Sequence, residues 1–226
     1  MANIGHGKKF EAAKNKLLYS ALKLFLENGF QATKITEITS LAKVDGNAVA
    51  RVFGDKEMLV AELIEHILIV QFETAREMVK GKTEDDILFY ATETVLQLYM
   101  AESSEHIREI YNMAYTCARS SSVIYDMITG KLERFLKKYL PDYDAKDFYE
   151  LEIASGGIMR GFITVPCDRY FTMDRKIDKY LEYIFLLFRV PEEELKKAKE
   201  FVAQFDYSLA VGDVIAKLLA KLAPQN

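Results

Sequence analysis

The sequence predicts an all-α protein in which a small N-terminal helical domain precedes a larger helical domain. Only four prolines and eleven glycines occur in 226 residues, so long regular elements are rarely interrupted. Half of the residues are apolar, and they recur at helical spacing through long segments rather than in the alternation typical of strands. A chain of this size can bury a sizeable core.

Two short predicted helices joined by a tight turn occupy residues 34–53. An apolar residue at every third or fourth position gives the first helix one buried face. After a break at residues 43–45, Asp45 is expected to cap a second helix that ends near Phe53. This arrangement is a helix-turn-helix, whose second helix enters the major groove of DNA. The alternative is a plain helical hairpin inside an all-α domain.

Candidate DNA contacts lie at the start of the second helix and on nearby basic residues. Small residues there let a helix approach the groove closely. An Asn side chain can pair with adenine, and an Arg side chain can reach guanine or a phosphate. The predicted DNA-binding residues are Lys34, Lys43, Gly46, Asn47, Ala48, Ala50, Arg51 and Lys56.

The residues on either side of the helix-turn-helix carry a family resemblance. The segments are Leu17-Leu-Tyr-Ser-Ala-Leu-Lys-Leu-Phe-Leu-Glu-Asn-Gly-Phe30, then Ala32-Thr33, and Phe53-Gly-Asp-Lys-Glu-Met-Leu59. In order and spacing the chain resembles the N-terminal domain of TetR-family transcriptional regulators. The resemblance implies a three-helix DNA-binding domain, placed at residues 1–54, and a helical ligand-binding and dimerisation domain at residues 55–226. It also implies a homodimer that represses transcription by binding a palindromic DNA operator.

The recognition helix departs from the family pattern. The family usually has Thr or Ser at Lys34, Gly at Lys43, Ser or Thr at Asp45, and Lys, Gly, Thr and Tyr at Gly46, Asn47, Ala48 and Ala50. Several phosphate-contacting side chains of the family are therefore absent. A second possible function is a TetR-like fold with weakened or lost specific DNA binding that acts through protein or ligand contacts.

The distribution of charge is compatible with DNA at one end of the molecule. The first 60 residues carry nine Lys and Arg against six Asp and Glu, although the whole chain has a net charge of −4. A mildly basic head on an acidic body fits a DNA-binding domain fused to a larger domain. Ordinary scatter of surface charge is the alternative.

Aromatic and methionine side chains are frequent in the second domain, which a long helix over about residues 56–79 joins to the first. TetR-like proteins generally bind an effector in this domain, so the resemblance implies that some of these residues line a cavity. With few internal charges, such a cavity favours a small hydrophobic or aromatic effector. The alternative is that they are simply core. The candidates are Phe72, Phe89, Tyr90, Tyr99, Tyr111, Met113, Tyr115, Tyr125, Met159 and Phe162.

Two helices expected at residues 144–165 and 174–190 are the predicted dimer interface. Their positions match the usual dimer helices of the family, and the second has too many large apolar residues for one buried stripe. The predicted interface residues are Gly157, Gly161, Tyr180, Tyr183, Ile184, Leu187 and Phe188.

Other classes of function find little support in the sequence. No nucleophile motif, paired carboxylates, glycine-rich phosphate loop or metal-ligand spacing is visible, so neither an enzyme nor a cofactor is expected. Cys117 and Cys167 are too few for a disulfide framework, which favours the cytoplasm. No apolar run is long enough to cross a membrane, and the N-terminus lacks a signal-peptide core.

Overall fold

The computed structural model describes residues 2–224, with side chains described from residue 10 onward. Within residues 2–224 the chain forms α-helices and no strand, which confirms the all-α prediction. The helices are α1 (Ala2–Asn28), α2 (Ile35–Leu41), α3 (Ala48–Val52), α4 (Lys56–Val79), α5 (Asp86–Ser103), α6 (Glu105–Thr116), α7 (Ala118–Leu136), α8 (Ala145–Thr164), α9 (Met173–Leu187), α10 (Glu192–Val202) and α11 (Tyr207–Leu222).

The first three helices form the N-terminal unit around a small apolar core. Helix α1 ends at Gly29, which adopts a φ of +83° and so reverses the chain as a left-handed C-cap. Phe30 then folds back onto Phe25, with ring centroids 5.4 Å apart. Helices α2 and α3 both pack on α1, which fixes the angle at which α3 faces outward.

The turn between α2 and α3 holds a non-glycine residue in the left-handed region. Lys43 has a φ of +53°, and its neighbour Val44 donates from its backbone nitrogen to the Thr39 carbonyl at 3.1 Å. This conformation disfavours any side chain by about 1–2 kcal/mol. This cost explains why the family usually has glycine at this position. Asn47, rather than the expected Asp45, is the N-cap residue of α3.

Helix α5 is the centre of the larger unit. Of its 18 residues, 13 are buried, because α4 and α6 to α11 all pack against it. A helix enclosed on every side is expected to be apolar all round. Two long polar side chains nevertheless lie among its buried residues, Glu93 and Gln97.

The two units share one hydrophobic core. Helix α1 packs on α6 and α11 as well as on α2 and α3, and buried side chains continue from α1 to α11. The boundary predicted between residues 54 and 55 falls in the short turn between α3 and α4. None of the helices described here is long and apolar enough to cross a membrane.

Some helix boundaries differ from those expected. The break between α6 and α7 is at Cys117, and the three serines at residues 120–122 lie inside α7. Ser121 is accommodated in the helix because its hydroxyl donates to the Cys117 carbonyl at 2.6 Å. Helix α9 begins at Met173, one residue before the predicted start, and the hydroxyl of its N-cap residue Thr172 accepts from the Arg175 backbone nitrogen.

Candidate nucleic-acid interface and internal cavity

The outward face of α3 presents part of the predicted DNA-binding set. Gly46, Asn47, Ala50 and Arg51 are exposed at the start and outer side of the helix. Ala48 is only 1% exposed, because its side chain faces the domain core beside Val49. Ala48 is therefore removed from the set of side chains that can touch a base edge.

Lys56 has a structural role in the α1–α2 loop. Its ammonium donates to the carbonyls of Phe30 at 2.7 Å and Thr33 at 2.6 Å, and it lies 4.0 Å from the centroid of the Phe30 ring. Burial lowers the pKa of this ammonium. Both carbonyls would lose this partner if Lys56 turned toward DNA, so the structure gives Lys56 a role in holding the loop, and its contact with DNA stays a prediction.

Arg51 is bound by an acidic neighbour on the same surface. Its guanidinium donates to both carboxylate oxygens of Asp45, with Nη1 to Oδ1 at 3.0 Å. Asp45 Oδ1 also accepts from the Asn47 backbone nitrogen at 3.1 Å. The Arg51 hydrogen bond lowers the pKa of Asp45, so its carboxylate is charged at neutral pH. The pair is exposed and cancels the charge of Arg51, leaving Lys34 and Lys43 as the exposed basic residues of the predicted set.

A narrow cavity lies within the larger unit, between α4, α5, α6, α7, α8 and α9. Four of the predicted effector residues are on its wall, namely Phe72, Tyr90, Tyr115 and Met159. Its other lining residues are Leu68, Glu93, Thr94, Gln97, Ile124, Ile128, Phe135, Glu152, Ser155, Gly156 and Tyr180.

Six of the predicted effector residues lie away from the cavity wall. They are Phe89, Tyr99, Tyr111, Met113, Tyr125 and Phe162. Phe89 faces an outer groove between α4, α5 and α7, and Tyr99 stacks on Tyr207 with centroids 4.9 Å apart. Spacing along a helix does not reveal which of several neighbouring helices an aromatic ring faces. The sequence therefore predicted more effector-binding residues than the cavity wall contains.

Two buried carboxylates set the chemistry of the cavity. Glu93 is 3% exposed and accepts a hydrogen bond from the Gln71 amide, while Glu152 is 4% exposed and accepts from the Ser155 hydroxyl at 3.0 Å. Burial raises the pKa of Glu93 to about 7 and that of Glu152 to about 8. The cavity wall therefore carries two carboxyl groups that titrate near neutral pH, in addition to the aromatic residues that the sequence predicted.

Sequence reasoning missed both glutamates although a signal exists for each. Glu93 lies four residues after Phe89 and three before Leu96, at a position where helical spacing predicts a buried residue. Glu152 follows Phe148 by four positions and precedes Met159 by seven, which puts it on the buried face of α8. A charged residue at a position that periodicity assigns to the core is the signal.

Helix α6 connects the cavity with the N-terminal unit. Tyr115 accepts from the Gln97 amide at 2.8 Å, and Tyr111 donates to the Gln71 amide oxygen, whose nitrogen in turn donates to Glu93. About 9 Å away along the same helix, Glu109 binds the α1–α2 loop, accepting from the backbone nitrogens of residues 30 and 31 at 2.8 and 2.9 Å.

This connection also constrains Gly29. A side chain there would collide with the Glu109 carboxylate, and the positive φ of Gly29 already disfavours one. His106 adds a further contact, between its Nδ1 and the Leu26 carbonyl at 2.9 Å. The end of α1, the loop after it and α6 are therefore held together as one assembly.

The predicted dimer residues divide into two groups. Tyr180, Ile184 and Phe188 are at most 1% exposed, because they pack into the core of their own chain. These three cannot reach a partner subunit and are removed from the predicted interface. Gly157, Gly161 and Tyr183 are exposed and line one shallow apolar groove on α8 and α9, and Leu187 is half-buried.

Comparison with known proteins confirms the family resemblance. Residues 17–63 match the family described as bacterial regulatory proteins, tetR family. This match spans the end of α1, the helix-turn-helix and the start of α4. The N-terminal unit thus has the helix-turn-helix domain of this family. No curated protein matches the chain.

Solved structures extend the likeness of fold to the larger unit. The crystal structure of RolR in complex with resorcinol has a TM-score of 0.65 at 16% identity, covering 88% of this chain and 97% of that one. NalD, the secondary repressor of the MexAB-OprM multidrug efflux pump in Pseudomonas aeruginosa, has a TM-score of 0.45 at 17% identity, covering 79% and 96%. The chain therefore has the fold of TetR-family transcriptional regulators, a conclusion that rests on the first of these and on the matched N-terminal domain.

Proposed function

We propose that this protein is a ligand-responsive transcriptional regulator that binds a palindromic operator as a homodimer, most simply as a repressor. The observation that carries the proposal is the exposed start of α3, with Asn47 and Arg51, in a domain of the TetR family. A helix presented in this way fits the major groove, and its first residues reach base edges. The internal cavity supplies a place for an effector, and α6 supplies a route from that place to the DNA-binding domain.

A second candidate function follows from the ion pair between Asp45 and Arg51. With its charge cancelled, Arg51 offers less attraction to a phosphate, and Asp45 adds a negative charge that repels the DNA backbone. This observation favours a TetR-like protein whose specific DNA binding is weak and that acts through ligand or protein contacts. The two candidates differ in what they select from a mixture of DNA sequences.

Selection of bound fragments from random-sequence DNA separates the two candidates. The proposed function predicts enrichment of an inverted repeat with half-site centres about 34 Å apart, one helical turn. The same selection with Arg51→Ala is expected to enrich either no repeat or a repeat in which one position has lost its base preference. Recovery of random sequences by the native protein would favour the second candidate.

Replacing Asp45 by Asn is expected to strengthen DNA binding by the native recognition helix. The change frees Arg51 and removes a negative charge, so one more phosphate contact forms and the salt dependence of log affinity steepens by about one. Fluorescence anisotropy over a range of salt concentrations measures both effects. In Arg51→Ala, where no guanidinium remains to be freed, the added Asp45→Asn change should steepen the slope less. An unchanged slope in the single variant would remove Arg51 from phosphate contact.

The dimer is supported by apolar surface on α8, α9 and the loop between them. Of the ten exposed large apolar side chains among the described residues, six lie there. They are Tyr149, Ile153, Val165, Tyr170, Tyr183 and Leu186, the last of which is 76% exposed. Exposed apolar surface concentrated in one region is typical of protein interfaces. We therefore propose that a second copy of the chain covers the groove at Gly157, Gly161 and Tyr183.

Coupling between effector and DNA is proposed to pass through α4 and α6. Helix α4 begins directly after α3 and carries Phe72 on the cavity wall, and α6 carries Tyr115 on that wall and Glu109 on the α1–α2 loop. A ligand that binds differently to two positions of these helices changes the separation of the two recognition helices in the dimer. It can shift DNA binding only by its difference in affinity for the two states.

A further inference from the structure

The cavity holds two buried carboxyl groups that have no cationic partner. Three charged side chains are buried in the described part of the chain, and one of them, Lys176, is paired with Glu102 at 2.8 Å. Glu93 and Glu152 form no salt bridge with any described residue. Their hydrogen bonds come from neutral groups, the Gln71 amide and the Ser155 hydroxyl. Buried charges in proteins are ordinarily paired or neutralised by a proton.

The rest of the wall is equally suited to positive charge. Five aromatic rings surround the two carboxylates, and the negative faces of such rings attract cations. They belong to Phe72, Tyr90, Tyr115, Phe135 and Tyr180. Lys131 is a basic side chain whose charge acts on Glu93, and it lies over the Phe72 ring, 4.9 Å from its centroid. It is at the rim rather than on the cavity wall.

We infer that the cavity binds an organic cation with N–H donors, an amine or amidine on a small aromatic or apolar body. The inference rests on the proposed function, in which this cavity is the effector site. The amine or amidine donates to Glu93 and Glu152, and the apolar body lies among the rings. A neutral molecule of the same shape leaves both carboxylates unpaired or protonated and gains less from binding.

The wall has to open before such a molecule enters. In this conformation the cavity has about 30 Å³ of room for the centres of water molecules, enough for roughly two waters. Phe72 and Phe135 line both the cavity and the open groove between α4, α5 and α7. These two side chains therefore form the partition that moves aside, and the effector approaches from that groove.

The binding depends on pH because the carboxylates must lose their protons. The groups around them that carry or can carry charge are Lys131 on α7, Tyr90 on α5, Tyr111 and Tyr115 on α6 and Tyr180 on α9. Burial raises the pKa of all four tyrosines, so they stay neutral near pH 7. Between about pH 6 and pH 9 the glutamates are thus the cavity groups that titrate, and affinity for a cation rises through this range.

The test compares benzamidinium with benzamide, its neutral counterpart of the same shape, by calorimetry on the full chain. We expect saturable binding of benzamidinium, tighter than that of benzamide by about tenfold or more, with affinity that rises with pH and with release of protons. Glu93→Gln and Glu152→Gln should each weaken benzamidinium by about 10- to 100-fold and leave benzamide unchanged. Glu150→Gln, on the exposed side of α8, is the matched control and should change neither.

Equal affinities for the two compounds would overturn the inference, as would a preference that survives both cavity variants or the absence of saturable benzamidinium binding. Selection from random-sequence DNA tests the proposed function separately. A preference for the cation without an enriched DNA repeat would support the inference and contradict the proposed function as a regulator. An enriched repeat without a cation preference would do the reverse.

Discussion

Glu152→Gln is expected to be less sensitive to alkaline pH than the native protein. The native protein should lose stability as pH rises, and the variant should lose much less. Burial raises the folded-state pKa of Glu152 from 4.5 to about 8. Below pH 4.5 the carboxyl is protonated in both the folded and the unfolded chain, and it contributes no pH dependence. Above that value the unfolded chain ionises first, so folding requires uptake of a proton and the free energy of unfolding decreases. The decrease ends once pH passes the folded-state pKa.

The magnitude is large because the group is almost fully buried. One pKa unit corresponds to about 1.4 kcal/mol, so the loss between about pH 5 and pH 9 is on the order of 4 kcal/mol for Glu152 alone. Glu93 adds a smaller loss in the same direction, since its folded-state pKa is about 7. His66 acts in the opposite direction, because burial lowers its pKa and stability is gained as it deprotonates. The difference between variant and native protein cancels the effect of His66.

Urea unfolding at a series of pH values measures this difference directly. The free energy of unfolding should fall more steeply with pH for the native protein than for Glu152→Gln. Toward acid pH, the difference between the two proteins should become constant. Glu150→Gln changes an exposed carboxylate on the same helix and should follow the native curve. Parallel curves for Glu152→Gln and the native protein would show that Glu152 is solvated or paired in solution.

Gly161→Arg is expected to turn the dimer into a monomer and to weaken operator binding by about 10²- to 10⁴-fold, because two linked half-sites become independent. Gly161 is exposed in α8, and no atom lies within 4 Å of the position of an added Cβ. The fold of the single chain therefore accepts the arginine, and the helix gains about 1 kcal/mol relative to glycine. Loss of the dimer would then reflect a charged side chain in the groove at Gly157, Gly161 and Tyr183.

Gly212→Arg is the matched control for this change. Gly212 is also an exposed helical glycine with open space around it, but it lies in α11, away from α8 and α9. Sedimentation velocity at several concentrations should show dimers for the native chain and Gly212→Arg, and monomers for Gly161→Arg. A native protein that is monomeric at every concentration would end the proposal of a dimer on this face.

The sequence predicted most of the fold because local signals agree along the chain. Asp55, Asp144 and Asp206 cap α4, α8 and α11, and each carboxylate accepts a hydrogen bond from a backbone nitrogen of the first turn. Apolar spacing at α2 and α3 also gave the helix-turn-helix, which the family match confirms. Caps and periodicity depend on residues a few positions apart, and for that reason they are visible in one sequence.

The candidate site was predicted less well because its key contacts join distant residues. Lys56 was assigned to DNA from its charge, yet it binds the carbonyl of Phe30, 26 residues earlier. Tyr180 and Phe188 were assigned to a partner subunit from their apolar character, yet they fill the core around α5. Periodicity tells which face of a helix is buried. It does not tell whether the covering surface is the same chain, another copy or a ligand.

The most direct test of the regulator is the linkage between cavity and DNA. Calorimetry would measure the affinity of benzamidinium with and without the selected DNA fragment, and the affinity for DNA with and without saturating benzamidinium. We expect both affinities to change by the same factor, about 5- to 150-fold, since coupling between two sites is reciprocal. Affinity for benzamidinium that is the same with and without bound DNA would contradict this expectation, because the cavity would then have no influence on the recognition helices.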